Sequence, residues 1–102
     1  MSTPEGKVKE AVKTILDRYK PDCWYFMPRG STFGVCGVPD LIVCYKGKFL
    51  AIECKAGRNK VSPMQVMQMA RIEQAGGDVL VIYKTNISDV ENFLERENGS
   101  RD

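Results

Sequence analysis

Between Gly37 and Lys55 the chain reads GVPDLIVCYKGKFLAIECK, and this stretch constrains everything around it. Leu41 to Tyr45 and Phe49 to Cys54 are apolar, β-branched or aromatic runs separated by Lys46-Gly47, the pattern of two strands joined by a tight turn. With Lys46 and Gly47 as the loop, Tyr45 faces Lys48. Counting outward pairs Val43 with Leu50, Leu41 with Ile52, and Asp40 with Glu53. Directly opposed side chains have Cβ atoms about 4.5–5.5 Å apart, and like charges there repel. This register therefore calls for a cation between the two acids, and a divalent metal is the first candidate. Alternation along the strand puts Lys55 on the face of Glu53 and turns Cys54 to the other side. One face is expected to present Asp40, Glu53 and Lys55 together.

Hard cations such as Mg²⁺ take carboxylate and carbonyl oxygens and keep several waters, which suits Asp40, Glu53 and the backbone carbonyl of Cys54 as metal ligands. Such an ion activates water and polarises a phosphoryl oxygen, while Lys55 can hold the attacking water and offset developing negative charge. The pattern suits phosphodiester hydrolysis. The chain contains no histidine, which excludes a histidine base, a Ser/Cys-His pair and His-ligated zinc. Pro39-Asp40 followed by Glu53-Cys54-Lys55 resembles the PD-(D/E)xK signature, and Gly37-Val38-Pro39-Asp40 is similar to its VRR-NUC branch, the virus-type replication-repair nucleases. The resemblance extends over nearly the whole chain. It implies a restriction-endonuclease-like α/β fold and an Mg²⁺- or Mn²⁺-dependent DNA endonuclease acting in replication, repair or recombination, often on branched or flapped DNA. A stand-alone copy this short suggests a phage protein. Two alternatives stand beside it: a junction-resolving nuclease acting as a symmetric homodimer, and a DNA-binding accessory subunit whose hairpin acids no longer bind metal. Intact Asp40, Glu53 and Lys55 argue against the last.

With 102 residues, 43% of them hydrophobic, the chain is expected to form one domain, residues 1–102, near the small end for an enzyme, so oligomerisation is plausible. No apolar run approaches membrane-spanning length and the N-terminus lacks a signal-peptide core, which points to the cytoplasm, that of the host if the protein is phage-encoded, with no membrane partner. No organic cofactor is expected. Cys23, Cys36, Cys44 and Cys54 form no CxxC pair and read as buried or free thiols of a reducing compartment. A net charge of +2 does not announce a nucleic-acid binder. Its distribution is more telling: Lys7, Lys9 and Lys13 load the first helix, Arg29 precedes the motif, and Arg58 and Lys60 follow Lys55, whereas Asp89, Glu91, Glu95 and Glu97 make the C-terminus acidic. The basic groups could flank the site and grip phosphates, although each taken singly reads first as a solvated surface charge.

Taken in order, Ser2 or Thr3 can cap a first helix, with Pro4 in its first turn and Ser2-x-x-Glu5 as a capping box. Val8, Ala11, Val12, Ile15, Leu16 and Tyr19 recur at helical spacing. Glu5 has two compatible readings, as a cap residue or, from the resemblance, as the family's glutamate supporting the metal site. Cys23 to Met27 is an aromatic-rich strand, and Pro28 to Gly37 a loop in which Arg29, Ser31 and Thr32 suit phosphate contact or form a plain connector anchored by Phe33. Ser62-Pro63-Met64-Gln65 opens a helix with Ser62 as cap and Gln65 completing a capping box. The resemblance also makes Gln65 a candidate to hold the catalytic lysine or a water. Met64, Met67, Met69, Ala70 and Ile72 are expected to pack in the core, and Gly76-Gly77 ends the helix. Val79 to Tyr83 reads as a strand buried on both faces, parallel to the Glu53 strand through a right-handed crossover. Ser88-x-x-Glu91 opens a last helix. The expected order is αβββαβα, a mixed central sheet flanked by helices.

Overall fold

The central turn forms as its composition requires. Lys46 and Gly47 both take positive φ, 50° and 85°, which is the combination that lets a two-residue loop follow the right-handed twist of its strands. The strands it joins pair Tyr45 with Lys48, Val43 with Leu50 and Leu41 with Ile52, the register expected from the sequence.

The computed structural model describes residues 3–29 and 35–99. Their order is α1 (Pro4–Asp17), β1 (Cys23–Phe26), β2 (Leu41–Tyr45), β3 (Lys48–Cys54), α2 (Pro63–Gln74), β4 (Asp78–Ile82) and α3 (Ser88–Gly99), with a 3₁₀ turn at Lys84–Asn86 ahead of α3. The four strands form one sheet in the order β1-β2-β3-β4. The first three are antiparallel and β4 runs parallel to β3, so α2 is the crossover that a parallel neighbour demands. This is the αβββαβα order with a mixed sheet. No helix among the described residues is long and apolar enough to cross a membrane.

One sheet face carries the core. Leu41, Val43, Tyr45, Leu50, Ile52, Cys54 and Ile82 meet Val8, Val12, Ile15 and Leu16 of α1 and Val90, Phe93 and Leu94 of α3, all buried. Alternation puts Trp24, Cys44 and Phe49 in one row of the opposite face and Phe26, Ile42, Ala51 and Val79 in the next. Asp40 and Glu53 fall one row further on. Among the described residues a single helix, α2, lies on this face, toward β3 and β4.

Two expectations are corrected here. No residue of α2 is buried, and Met64, Val66 and Met67 are exposed; the methionines do not fill the core, because the helix touches the sheet with only one narrow flank. In β4 only Ile82 is buried and the other residues are half-covered, because it is an edge strand with a neighbour on one side only. The cap of α1 is one of the two expected, whereas that of α3 differs. Thr3 caps α1, its hydroxyl accepting the Gly6 N–H at 2.9 Å, while Ser2 lies outside the described residues. The start of α3 is set by Asn86, whose side chain accepts the Tyr83 N–H and donates to the Val81 carbonyl and to Asp89. All four cysteines are free, Cys23 and Cys54 buried, Cys36 and Cys44 exposed.

Candidate active site

Asp40 stands one residue before β2, at the end of a segment clamped against α2. Gly37 has φ +77°, and a Cβ built there would lie 2.5 Å from the Met64 carbonyl oxygen, closer than any side chain can approach. Backbone therefore packs directly on the first turn of α2. The Gln68 amide donates to the Cys36 carbonyl at 3.2 Å, and Pro39 is buried. The Asp40 Oδ2 then accepts the backbone N–H of Cys54 at 2.7 Å. β3 extends past the β2 ladder at this point, so the carboxylate takes the place of a strand carbonyl and holds Asp40 beside Glu53.

Glu53 is 2% exposed, and its Oε2 is buried without any hydrogen-bond partner. Its pKa is raised well above the ordinary carboxyl range, first by burial, then by a proton-sharing hydrogen bond with Asp40 and by the Asp40 charge; Lys55 pulls the other way, and Glu5 adds a smaller push upward. Burial thus leads the effect, ahead of the repulsion that the hairpin register suggests. A third charge completes the group. Lys9 Nζ lies 3.5 Å from Asp40 Oδ1 and 3.7 Å from Glu5 Oε2. Burial lowers the Lys9 pKa, but Asp40 and Glu5 outweigh it and the net shift is upward.

Glu5, Lys9, Asp40, Glu53 and Lys55 therefore share one electrostatic neighbourhood. Lys55 is half-buried, with its N–H on the Ile82 carbonyl at 2.9 Å and its charge acting on Glu53. Gln65 Oε1 accepts the Ser62 N–H at 2.8 Å and its own N–H donates to Ser62 Oγ at 3.2 Å, so the capping box is formed and only the Nε2 end of that side chain is free of it. The Cys54 N–H is committed to Asp40. Arg29, Arg58 and Lys60 are exposed, whereas Ser31, Thr32 and Phe33 lie outside the described residues. Lys9 was legible only as one lysine of a basic helix; its i,i+4 spacing from Glu5 was the available signal.

Among the described residues no three His, Cys, Asp or Glu side chains converge as a metal-binding set. Mg²⁺ needs no such set, since one or two carboxylates with waters hold it. The donor chemistry fits that description: two neighbouring carboxylates, one with a buried oxygen that nothing satisfies.

No family model matches the chain. "Putative nuclease p44" of Acyrthosiphon pisum secondary endosymbiont phage 1 is 36% identical over 55 residues, which is 53% of this chain and 59% of that protein's own length. A solved structure described as a VRR_NUC domain superposes with a TM-score of 0.67, covering 92% of this chain and 97% of the other at 22% identity. The chain accordingly has the restriction-endonuclease-like α/β fold of a VRR_NUC domain.

Proposed function

We propose that the chain is a single nuclease domain, residues 1–102, of the VRR-NUC kind, hydrolysing DNA phosphodiesters with Mg²⁺ or Mn²⁺, on branched or otherwise structured DNA in replication, repair or recombination of a phage. The observation that carries this reading is the buried, unpartnered Glu53 Oε2 beside Asp40: an acid oxygen buried with no donor, next to a second acid, suits a cation that would replace the proton. Asp40 and Glu53 hold the ion, with the Cys54 carbonyl as a third oxygen. When bound, it polarises the phosphoryl oxygen and lowers the pKa of a water. Lys55 orients that water and offsets charge on the phosphorane-like transition state. Glu5 sets the position of Lys9 and, through it, of Asp40. Gln65 offers its Nε2 to a water or to Lys55. Arg29, Ser31, Thr32, Arg58 and Lys60 contact the flanking phosphates.

The name of the phage relative and the fold both favour nuclease chemistry. Cleavage of supercoiled plasmid and of a synthetic four-way junction, with Mg²⁺, with Mn²⁺ and with EDTA, tests it. Metal-dependent cutting lost in Lys55→Ala is expected. An absence of cutting in every metal removes the reading.

A specific observation favours the homodimer that acts on symmetric junctions. Trp24 is 61% exposed and heads an apolar strip with Phe26 and Phe49, exposed among the described residues, on the sheet face that ends at Asp40 and Glu53. Apolar strips of this kind mark interfaces, and a second copy seated there would supply the second site that cutting both strands requires. Light scattering should find twice the monomer mass, and Trp24→Glu should return it to monomer.

A further inference from the structure

Just beyond Lys55 the chain borders a cavity of about 410 Å³. The first turns of α1 line it with Pro4, Lys7 and Val8, the segment after β4 with Lys84 and Ile87, and Ala56 closes the side toward Lys55. No acid lines it. Lys9, Lys13, Lys20, Lys46 and Lys48 are each paired with a carboxylate, but Lys7 and Lys84 have no ion pair among the described residues. Two elements distant in sequence therefore bring uncompensated positive charge to one concave space with apolar walls. Both lysines are exposed, so water screens their mutual repulsion, and an anion seated between them would be drawn by both charges at once. The size matches a small-molecule pocket and not a lone ion.

We infer that this cavity is a nucleotide seat: the phosphate lies between Lys7 and Lys84, and the sugar and base rest on Pro4 and Ile87. It adjoins Lys55 through a single residue, Ala56, so the nucleotide it takes is one that flanks the phosphodiester at Asp40 and Glu53. The inference rests on the nuclease reading for the identity of the strand, not for the existence of the seat. Its consequence is directional. The substrate strand leaves the acids along α1 toward the 3₁₀ turn, and not across the apolar strip of β1.

The test is fluorescence anisotropy of a short labelled single-stranded oligodeoxynucleotide with the full chain in EDTA, where no cutting occurs. Lys7→Ala and Lys84→Ala are each expected to weaken binding several-fold and to reduce the slope of log affinity against log salt by about one. Lys7→Arg and Lys84→Arg should keep both. Lys13→Ala, on the same helix but paired with Glu10, should change neither. A deoxynucleoside monophosphate is then added as competitor. Displacement from wild type but not from the double alanine variant assigns the seat to free nucleotides as well as to strands; no displacement assigns it to strands alone. Unchanged affinity and slope in Lys7→Ala and Lys84→Ala, or an equal loss in Lys13→Ala, overturns the inference. If no metal supports cutting yet both lysines still govern binding, the seat stands and the nuclease reading falls.

Discussion

Lys9 Nζ and Asp40 Oδ1 form an ion pair at 3.5 Å, joining the second turn of α1 to the residue that opens β2. The hairpin register demands a positive charge near its two acids, and the chain carries one of its own. A divalent ion at the proposed site would therefore compete with this lysine for the same carboxylate. Because the net pKa shift of Lys9 is upward from 10.5, its stabilising contribution is complete below that pH and is lost only as pH rises through the folded-state value. It is present throughout the neutral range. Lys9→Ala should melt at a lower temperature than wild type in EDTA, and saturating Mg²⁺ or Mn²⁺ should raise its melting temperature more than that of wild type. Equal metal-induced shifts in the two proteins, read by scanning fluorimetry, would show that the lysine and the ion do not share Asp40.

Glu53 sets the pH dependence of the metal-free protein. Its folded-state pKa is above the ordinary carboxyl value of 4.5, so folding favours the protonated acid: the contribution is present below 4.5 and is lost as pH rises through the folded-state value. Wild type in EDTA should therefore lose melting temperature steadily from weakly acid to alkaline pH. Glu53→Gln keeps the shape without the charge and should be flatter and higher-melting at neutral pH, by roughly 4–8 °C for each kcal/mol relieved. It should also be inactive. Parallel pH profiles for the two proteins would contradict this account.

Asp40 has a structural duty that separates two substitutions. Alanine would strand the Cys54 N–H that the carboxylate accepts at 2.7 Å, at a cost of about 1–3 kcal/mol for an unsatisfied buried donor. Asparagine retains an oxygen acceptor. Both variants should lose metal-dependent cleavage by at least about 100-fold, but Asp40→Asn should melt close to wild type while Asp40→Ala melts clearly below it. Cleavage by Asp40→Ala within about tenfold of wild type, where one factor of ten is 1.4 kcal/mol of barrier, would remove Asp40 from the site.

Gly37→Ala should be damaging at a distance from any charge. The added Cβ meets the Met64 carbonyl at 2.5 Å and the Gln65 nitrogen at 2.9 Å, in a backbone conformation that already disfavours a side chain. Relief requires the 35–40 segment to lift from α2. Thermal melts should show a loss of about 1–3 kcal/mol, and the Asp40-to-Cys54 bond should loosen, read as faster amide exchange at Cys54. Unchanged exchange at that amide would mean that the segment is not what positions Asp40.

The parts of this molecule legible in its sequence are those governed by short-range rules. Lys46-Gly47 fixed the turn, the turn fixed the register, and the register placed Asp40 beside Glu53. Ser62 and Gln65 formed their capping box because both partners lie within one helical turn. Long-range contacts were not legible. Nothing in the spacing of Met64 and Met67 reveals that the sheet face beneath them has too little cover to bury them, since an amphipathic pattern reports a helix's preference and not its surroundings. The Lys9-to-Asp40 pair depends on how α1 crosses the end of the sheet, and burial of Glu53 depends on where α2 and the 35–40 segment meet. Both are products of packing.

The antiparallel order of β1, β2 and β3 has a kinetic consequence. Asp40 and the Cys54 amide it accepts are 14 residues apart, and the hairpin between them can close in about 1–10 μs, well before a chain must loop back through α2 to dock β4. The two acids thus meet early, with neither Lys9 nor the crossover helix yet in place, and their repulsion falls on the nascent hairpin. Substitutions that weaken the turn at Gly47 should slow refolding, whereas those in β4 should chiefly hasten unfolding, and a divalent ion in the refolding buffer should speed the first and leave the second unchanged.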